Sequence, residues 1–394
     1  MSNSVERLLW KWAMQDRIAT DPMVFLSGPR QVGKTYLARS KISSYYNWDT
    51  SEVKRAYLRD PYFFRTGALW IVFDEVHKRR DWKKILKGYF DSPNRSENFV
   101  VTGSGRFDQY QRGGDSLQGR YDGFQLWPLC YDEVSGARKA ALCARARDFK
   151  IWEPDSGAES DGDLISLGGF PQPFLQGQET RLRRWQDQYL DRLVKEDVRD
   201  FSAVHRLDQI DLLARLLPQR VGAPISIKAL GEDIDASPVG VRAWLRLFET
   251  LFFGFSVAPY HHRIHRAVKK ERKWYFHQWT FAEEPGARFE NYLAVQLSAA
   301  CSMWSERGFG RWELWYLRDQ DRREVDFLIT RDMTPKALFE AKASFQSWPN
   351  ALHHYTRKLR VPGFLVYPDG PVRKMEFGWS LPSSRLLKAL FTDY

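Results

Sequence analysis

Met23-Val24-Phe25-Leu26-Ser27-Gly28-Pro29-Arg30-Gln31-Val32-Gly33-Lys34-Thr35 is the stretch that decides the fold. An apolar run enters G-x-x-x-x-G-K-[ST] without a mismatch, and a helix-like segment follows from Lys34. Glycine at 28 and 33 lets the backbone curl until the loop's N–H groups face a row of phosphates. Lys34 then reaches the β and γ phosphates of ATP, and the Thr35 hydroxyl becomes a ligand for Mg²⁺. Strand, loop and helix in this order predict a parallel α/β sheet with its phosphate site at the carboxyl end of the first strand.

The sequence around the loop repeats the alternation. Tyr45–Trp48, Trp70–Phe73, Phe99–Thr102 and Phe124–Leu126 read as short buried strands, each followed by polar or helical sequence. Trp70-Ile71-Val72-Phe73-Asp74-Glu75 is an apolar strand ending in two acids. Asp74 is expected to hold Mg²⁺ through its water shell and Glu75 to orient or activate the attacking water. Phe99–Thr102 ends in Gly103-Ser104, and Ser104 is the candidate sensor of the γ phosphate. Arg120, in Leu117-Gln118-Gly119-Arg120, reads either as an arginine finger offered to a neighbouring subunit or as an exposed structural arginine.

The 394 residues are too many for one ordinary core, so two or three domains are expected. A formal charge of +11 points to nucleic acid, acidic partners or anionic membrane. Cys130, Cys143 and Cys301 form no CxxC pair, which argues against a disulfide framework or zinc knuckle and fits a reducing compartment. The opening residues MSNSVERLLWKWAMQDRI read as an amphipathic helix, not a signal peptide, and no apolar stretch spans a bilayer. The expectation is a cytoplasmic protein with no membrane partner.

Beyond a basic segment at Ala137–Lys150 and an acidic loop at Pro154–Asp163, the pattern turns helical. Leu182, Trp185, Tyr189, Leu190 and Leu193 recur at helical spacing. Ile225–Ile234, a turn at Asp235-Ala236, a capping Ser237 and a second helix over Pro238–Leu247 make a helix-turn-helix pattern, with Phe252–Val257 as a wing strand. That motif either places Val239, Arg242 or Arg246 near DNA or serves as a packing domain. A run of cations follows: His261, His262, Arg263, His265, Arg266, Lys269, Lys270, Arg272 and Lys273, flanked by Tyr260, Trp274, Tyr275 and Trp279. Cations beside aromatics suit phosphate contact with base stacking, so Arg263, Arg266, Lys269 and Lys270 are candidate DNA contacts. A solvated basic loop is the competing reading. The C-terminal third carries Glu324-Val325-Asp326 and Glu340-Ala341-Lys342, a D…E-x-K spelling. On strands, Glu340 and Lys342 leave the same face. Asp326 and Glu340 could then share Mg²⁺ while Lys342 polarises the water or the phosphate.

Read in order, GPRQVGKT, VFDEVHK, VVTGSGR and LQGRYDGFQLWPLCYDEV resemble the motifs of bacterial and archaeal AAA+-like ATPases that carry a C-terminal domain of uncharacterised function with a nuclease-like core. The resemblance runs over nearly the whole chain. It implies a P-loop ATPase domain (1–135), a helical, winged-helix middle (136–260) and a restriction-endonuclease-like α/β domain of the PD-(D/E)xK type (261–394). It also gives Glu290, in a predicted helix over Ala287–Leu297, the place of the acidic residue on that domain's first helix. His77 stands where the family often has Gln. Tyr275-Phe276-His277-Gln278-Trp279-Thr280 departs from the Tyr-Phe-x-Asp-x-Gly of relatives, and a nuclease-fold domain kept for DNA binding or assembly, without cleavage, competes with an active nuclease. The expected function is an ATP-hydrolysing, DNA-binding machine, a homo-oligomer with a ring among its forms, that remodels DNA, branched DNA included. A nucleotide-gated interaction switch and a defence-related nuclease regulated by its ATPase are the alternatives.

Overall fold

The computed structural model describes Arg7 and residues 23–39, 43–92, 96–103, 117, 119–135, 160–201, 206–261 and 271–391. The amphipathic opening, the Ala137–Lys150 segment, Cys143, Ser104 and the DNA candidates Arg263, Arg266, Lys269 and Lys270 lie outside these. The chain divides into two compact units, one of Arg7–Trp127 with Thr250–Phe252, the other of most of the remainder.

The first unit is built on a five-stranded parallel sheet of β1 (Met23–Ser27), β2 (Ser43–Asn47), β3 (Trp70–Asp74), β4 (Asn98–Gly103) and β5 (Asp122–Gln125), in the order β2-β3-β4-β1-β5. Each strand read from the sequence is present, with ends shifted by a residue or two. β1 and β3 are apolar up to their last residues, Ser27 and Asp74, because both of their faces are covered. The helix Trp82–Phe90 turns Trp82, Ile85, Leu86 and Tyr89 inward at helical spacing, onto a core that includes Phe25, Phe64, Phe73 and Phe99. Because β4 lies between β1 and β3, the phosphate loop and the acidic end of β3 flank the end of β4.

The second unit carries a mixed eight-stranded sheet. Its strands are β6 (Gly254–Pro259), β7 (Lys273–Phe276), β8 (Trp312–Arg318), β9 (Glu324–Arg331), β10 (Thr334–Ala341), β11 (Gly363–Tyr367), β12 (Arg373–Met375) and β13 (Gly378–Pro382), in the order β12-β13-β11-β10-β9-β8-β6-β7. β9 and β10 form a hairpin whose two turn residues, Asp332 and Met333, both have positive φ, as a two-residue turn between twisted strands requires. The 22-residue helix Pro285–Glu306 packs on this sheet; Pro285 opens it and Glu284 caps it by accepting the Ala287 N–H. The helix Glu179–Arg192 buries Leu182, Trp185, Tyr189 and Leu190 as their spacing predicted.

The helix-turn-helix pattern appears as Ile227–Asp233 and Pro238–Thr250, with Ser226 capping the first helix. The segment expected as a wing strand forms β6. β6 pairs antiparallel with β7 and, through Ala258 and Pro259, parallel with β8, so it belongs to the large sheet. Among the described residues, no helix is long and apolar enough to cross a membrane.

Candidate sites: a phosphate loop and a carboxylate cluster

At the carboxyl end of β1 the loop is held in the shape its glycines permit. Gly28 has φ 146° and Gly33 φ 102°. A Cβ on Gly28 would lie 2.4 Å from the Leu126 carbonyl oxygen, so only glycine fits where the loop passes β5. Lys34 is buried and donates to the Gly28 and Pro29 carbonyls at 2.9 and 2.7 Å. Arg7, also buried, donates to the Val32 and Trp127 carbonyls at 2.6 Å each, tying the far side of the loop to the chain leaving β5.

Asp74, the last residue of β3, is ringed by hydroxyls. Thr35 donates to its Oδ2 at 3.1 Å, Tyr45 of β2 donates to the same oxygen, and Thr102 of β4 donates to Oδ1. Burial and the Asp74 charge push the Tyr45 phenol up to about 12, so it remains a donor at any working pH. Among the described residues Asp74 makes no ion pair. Glu75 follows in the left-handed conformation at φ 59°. Burial raises its pKa, against the pull of Lys34 and Lys78. His77 Nε2 and Lys78 Nζ lie 3.6 and 3.7 Å from Glu75 Oε2. Burial, with Lys78 and Lys34 adding to it, lowers His77 to about 4, so a neutral imidazole faces Glu75.

The fold therefore brings together Gly28, Pro29, Arg30, Gln31, Val32, Gly33, Lys34, Thr35, Asp74 and Glu75. It leaves Arg120 apart. Arg120 precedes β5 at the amino edge of the sheet, roughly 16 Å of strand from the phosphate loop at about 3.3 Å per residue. There it makes a two-point pair with Asp91, at 3.0 and 3.3 Å. Arg7, Tyr45 and Thr102 were not singled out by sequence. Nothing in their spacing marks them, because each reaches the site from a separate segment.

The second cluster lies in the other unit. The β9–β10 register sets Phe339 opposite Phe327, and hence Glu340 opposite Asp326. The Asp326 N–H donates to Glu340 Oε2 at 3.3 Å, the Ala341 N–H donates to Asp326 Oδ2 at 3.0 Å, and Lys342 pairs with Glu340 Oε1 at 2.8 Å. Glu290, from the long helix, accepts the Tyr275 hydroxyl at 2.7 Å. Asp326, Glu340, Lys342 and Glu290 thus converge, but around a residue that the sequence pattern placed in a basic run for DNA contact or solvent. The Lys273 ammonium is buried and lies 2.7 Å from Glu324, 3.2 Å from Glu290 and 3.2 Å from Asp326. Burial opposes its charge, yet Asp326, Glu290 and Glu324 together raise its pKa. Burial first and the Asp326 charge second push Glu290 and Glu340 up to about 7. Among the described residues no group of three or more His, Cys, Asp or Glu side chains is arranged to hold a metal ion. All four oxygens of Asp326 and Glu340 face an N–H or an ammonium, and the Lys273 ammonium stands among the carboxylates where the sequence led to the expectation of Mg²⁺.

The aromatic residues expected to stack on bases are corrected as well. Trp274, Tyr275 and Trp279 are all buried in the second unit's core. Their apolar sides belong to β7 and the turn after it. Among the described residues, the exposed cations Lys228, Arg242, Arg246 and Arg272 line a groove of about 670 Å³ together with Glu249 and Glu271. Val239, 73% exposed, and Arg242 and Arg246 share the outward face of the second helix of the helix-turn-helix pattern.

Comparison with known proteins gives a family for the first unit. Residues 20–135 match the model described as AAA domain, so this part of the chain is of the P-loop ATPase type. Residues 162–278 and 285–383 match two domains of unknown function, DUF8612 and DUF4143. An uncharacterized protein of Mycobacterium tuberculosis is 22% identical over 367 residues, 88% of this chain and 76% of its own length. One of Methanocaldococcus jannaschii is 22% identical over 269 residues, 66% of this chain and 58% of its own. A solved Walker-type ATPase of Pyrococcus abyssi aligns with a TM-score of 0.44 at 12% identity, over 71% of this chain and 95% of its own.

Proposed function

We propose that the chain is a Mg²⁺-dependent ATPase that binds DNA through its second unit and uses the nucleotide cycle to remodel it, with branched DNA among the substrates. The observation that carries the nucleotide half is the hydrogen bond of Thr35 to Asp74 at 3.1 Å beside a loop shaped by Gly28 and Gly33. Thr35 and Asp74 would hold Mg²⁺, directly and through water. The ion, once bound, neutralises charge that develops between the β and γ phosphates. Lys34 now rests on two neutral carbonyls, and it exchanges them for phosphate oxygens, which are stronger acceptors. Glu75, next along the backbone from Asp74, orients the attacking water as a carboxylate. Ser104, just past β4, reports on the γ phosphate. Arg120 pairs with Asp91 at the amino edge of the sheet, apart from its own loop, so its role as a finger requires a second copy, and assembly as a homo-oligomer, with a ring as one form, goes with that role.

The DNA half rests on charge and shape. Arg242 and Arg246 project from one exposed helix face beside Val239, and Lys228 and Arg272 line the same groove. Such a face supplies phosphate contacts, with an apolar side chain at its start for a base edge. The test is steady-state ATP hydrolysis with duplex, single-stranded and four-way-junction DNA. Acceleration by DNA, strongest with the junction, is the expected result. A rate indifferent to all three would favour a nucleotide-gated switch acting on another partner.

A further inference from the structure

We infer that the carboxylate cluster of the second unit is closed by Lys273 in place of a divalent cation, so that this site holds a nuclease-like arrangement of Asp326, Glu340 and Lys342 without cutting nucleic acid. The inference is independent of the nucleotide site.

Three observations carry it. First, position: Lys273 Nζ takes one oxygen each from Glu290, Glu324 and Asp326 at 2.7 to 3.2 Å, which are ammonium-to-carboxylate distances. A Mg²⁺ or Mn²⁺ in the same volume would need those oxygens at about 2.1 Å and would stand against the charge of the ammonium already there. Second, charge compensation: Asp326 Oδ2 receives the Ala341 N–H, Glu340 Oε2 receives the Asp326 N–H, and Glu340 Oε1 receives the Lys342 ammonium. With Asp326 Oδ1 on Lys273, each oxygen of the Asp326–Glu340 pair already has a donor. Third, anchoring: Lys273 is the first residue of β7, its side chain passes 5.6 Å from the Tyr316 ring, and its strand neighbours Trp274 and Tyr275 are buried. The lysine is a fixed part of the sheet.

The charge logic follows from chemistry. An Mg²⁺ brings water and Lewis acidity to a phosphate, and an ammonium brings neither a bound hydroxide nor an open coordination position. With Lys273 in place the cluster can hold the sheet together and leave a bound phosphate intact.

The test uses the full chain without nucleotide. Mn²⁺ uptake is followed by the paramagnetic signal of the free ion, alongside nicking of supercoiled plasmid in Mn²⁺. For the wild-type chain we expect no bound Mn²⁺ that Asp326→Asn removes, and no nicking that Asp326→Asn abolishes. Lys273→Ala should gain one Mn²⁺ per chain, tighter by about a hundredfold or more because a like charge a few ångströms away is gone. Adding Asp326→Asn to that variant should lose it again. Lys273→Gln, which keeps the stem and two N–H donors, serves if the alanine variant does not fold. A wild-type Mn²⁺ site or nicking activity that depends on Asp326 would overturn the inference. So would a folded Lys273 variant that gains no ion.

Discussion

Asp74 and Asp326 are both buried aspartates on strands with a second acid close by, yet they are held in opposite ways. Asp74 accepts three hydroxyls, from Thr35, Tyr45 and Thr102, and among the described residues it makes no ion pair. Asp326 accepts an ammonium and an amide N–H. Hydroxyl donors fix where a carboxylate points and leave its charge intact for an arriving cation. An ammonium fixes it and cancels the charge at once. Two buried aspartates therefore differ in what they can still bind, and the difference lies in the charge of their donors.

The largest effect expected from this contrast is at Glu75. Glu75→Gln should lower kcat by roughly 10²–10⁴-fold while ATP affinity stays within a few-fold of wild type, measured by steady-state hydrolysis and equilibrium binding. The working form is the carboxylate and burial raises its pKa, so the wild-type rate should fall on the acid side at a pH above the ordinary glutamate range. Glu290→Gln, Glu340→Gln and Asp326→Asn should leave that rate unchanged. A wild-type rate in the Glu75 variant would break the comparison from the first side.

Next comes stability. Removing one partner of a buried ion pair costs about 3–5 kcal/mol, and with Glu290 and Glu324 still on Lys273, Asp326→Asn belongs at the low end of that range. Urea unfolding of the second unit's signal reads it, and a loss no larger than that of an exposed control substitution would break the comparison from the other side. His77 gives an effect of similar size with a pH signature. Its pKa is about 4 in the folded chain and 6.5 unperturbed, so its burial contributes stability that is complete above pH 6.5 and is lost as pH falls toward 4. The difference amounts to at most roughly 3 kcal/mol, and His77→Gln should flatten the unfolding midpoint across that window. The smallest effect concerns DNA. Arg242→Ala and Arg246→Ala should each weaken binding alike on all sequences and reduce the salt slope by about one. Titrations whose slope does not move in either variant would remove that helix face from the interface.

The phosphate loop could be read from sequence because its parts are consecutive: one strand, one loop and one turn of helix supply Gly28 through Thr35. Asp74 and Glu75 were legible for the same reason, as the end of an apolar strand. What was hidden came from partners distant in the chain. Tyr45 and Thr102 meet Asp74 across 29 and 28 positions, on residue types that occur on any strand. Lys273 meets Asp326 across 53 positions and stands at the end of a run of cations, so composition assigned it to solvent or DNA. One local signal was present. Lys273 opens Lys273-Trp274-Tyr275-Phe276, whose aromatic continuation marks a buried strand better than a basic loop. The strand expected as a wing was legible, but its place in the large sheet was not: a short apolar strand does not declare which sheet it will join.

Arg7 has a consequence for the order in which the nucleotide site can form on the ribosome. The residue is synthesised before the phosphate loop, and one of its two acceptors, Trp127, about a hundred residues after it. A nascent chain that has released Gly28–Thr35 therefore has the loop and the arginine but lacks the carbonyl that completes the clasp. Only when the fifth strand and Trp127 have cleared the exit tunnel can Arg7 bridge both carbonyls. Closure of the loop is in this way timed to the completion of the whole sheet, and an early-terminated chain would carry the nucleotide motif without its latch.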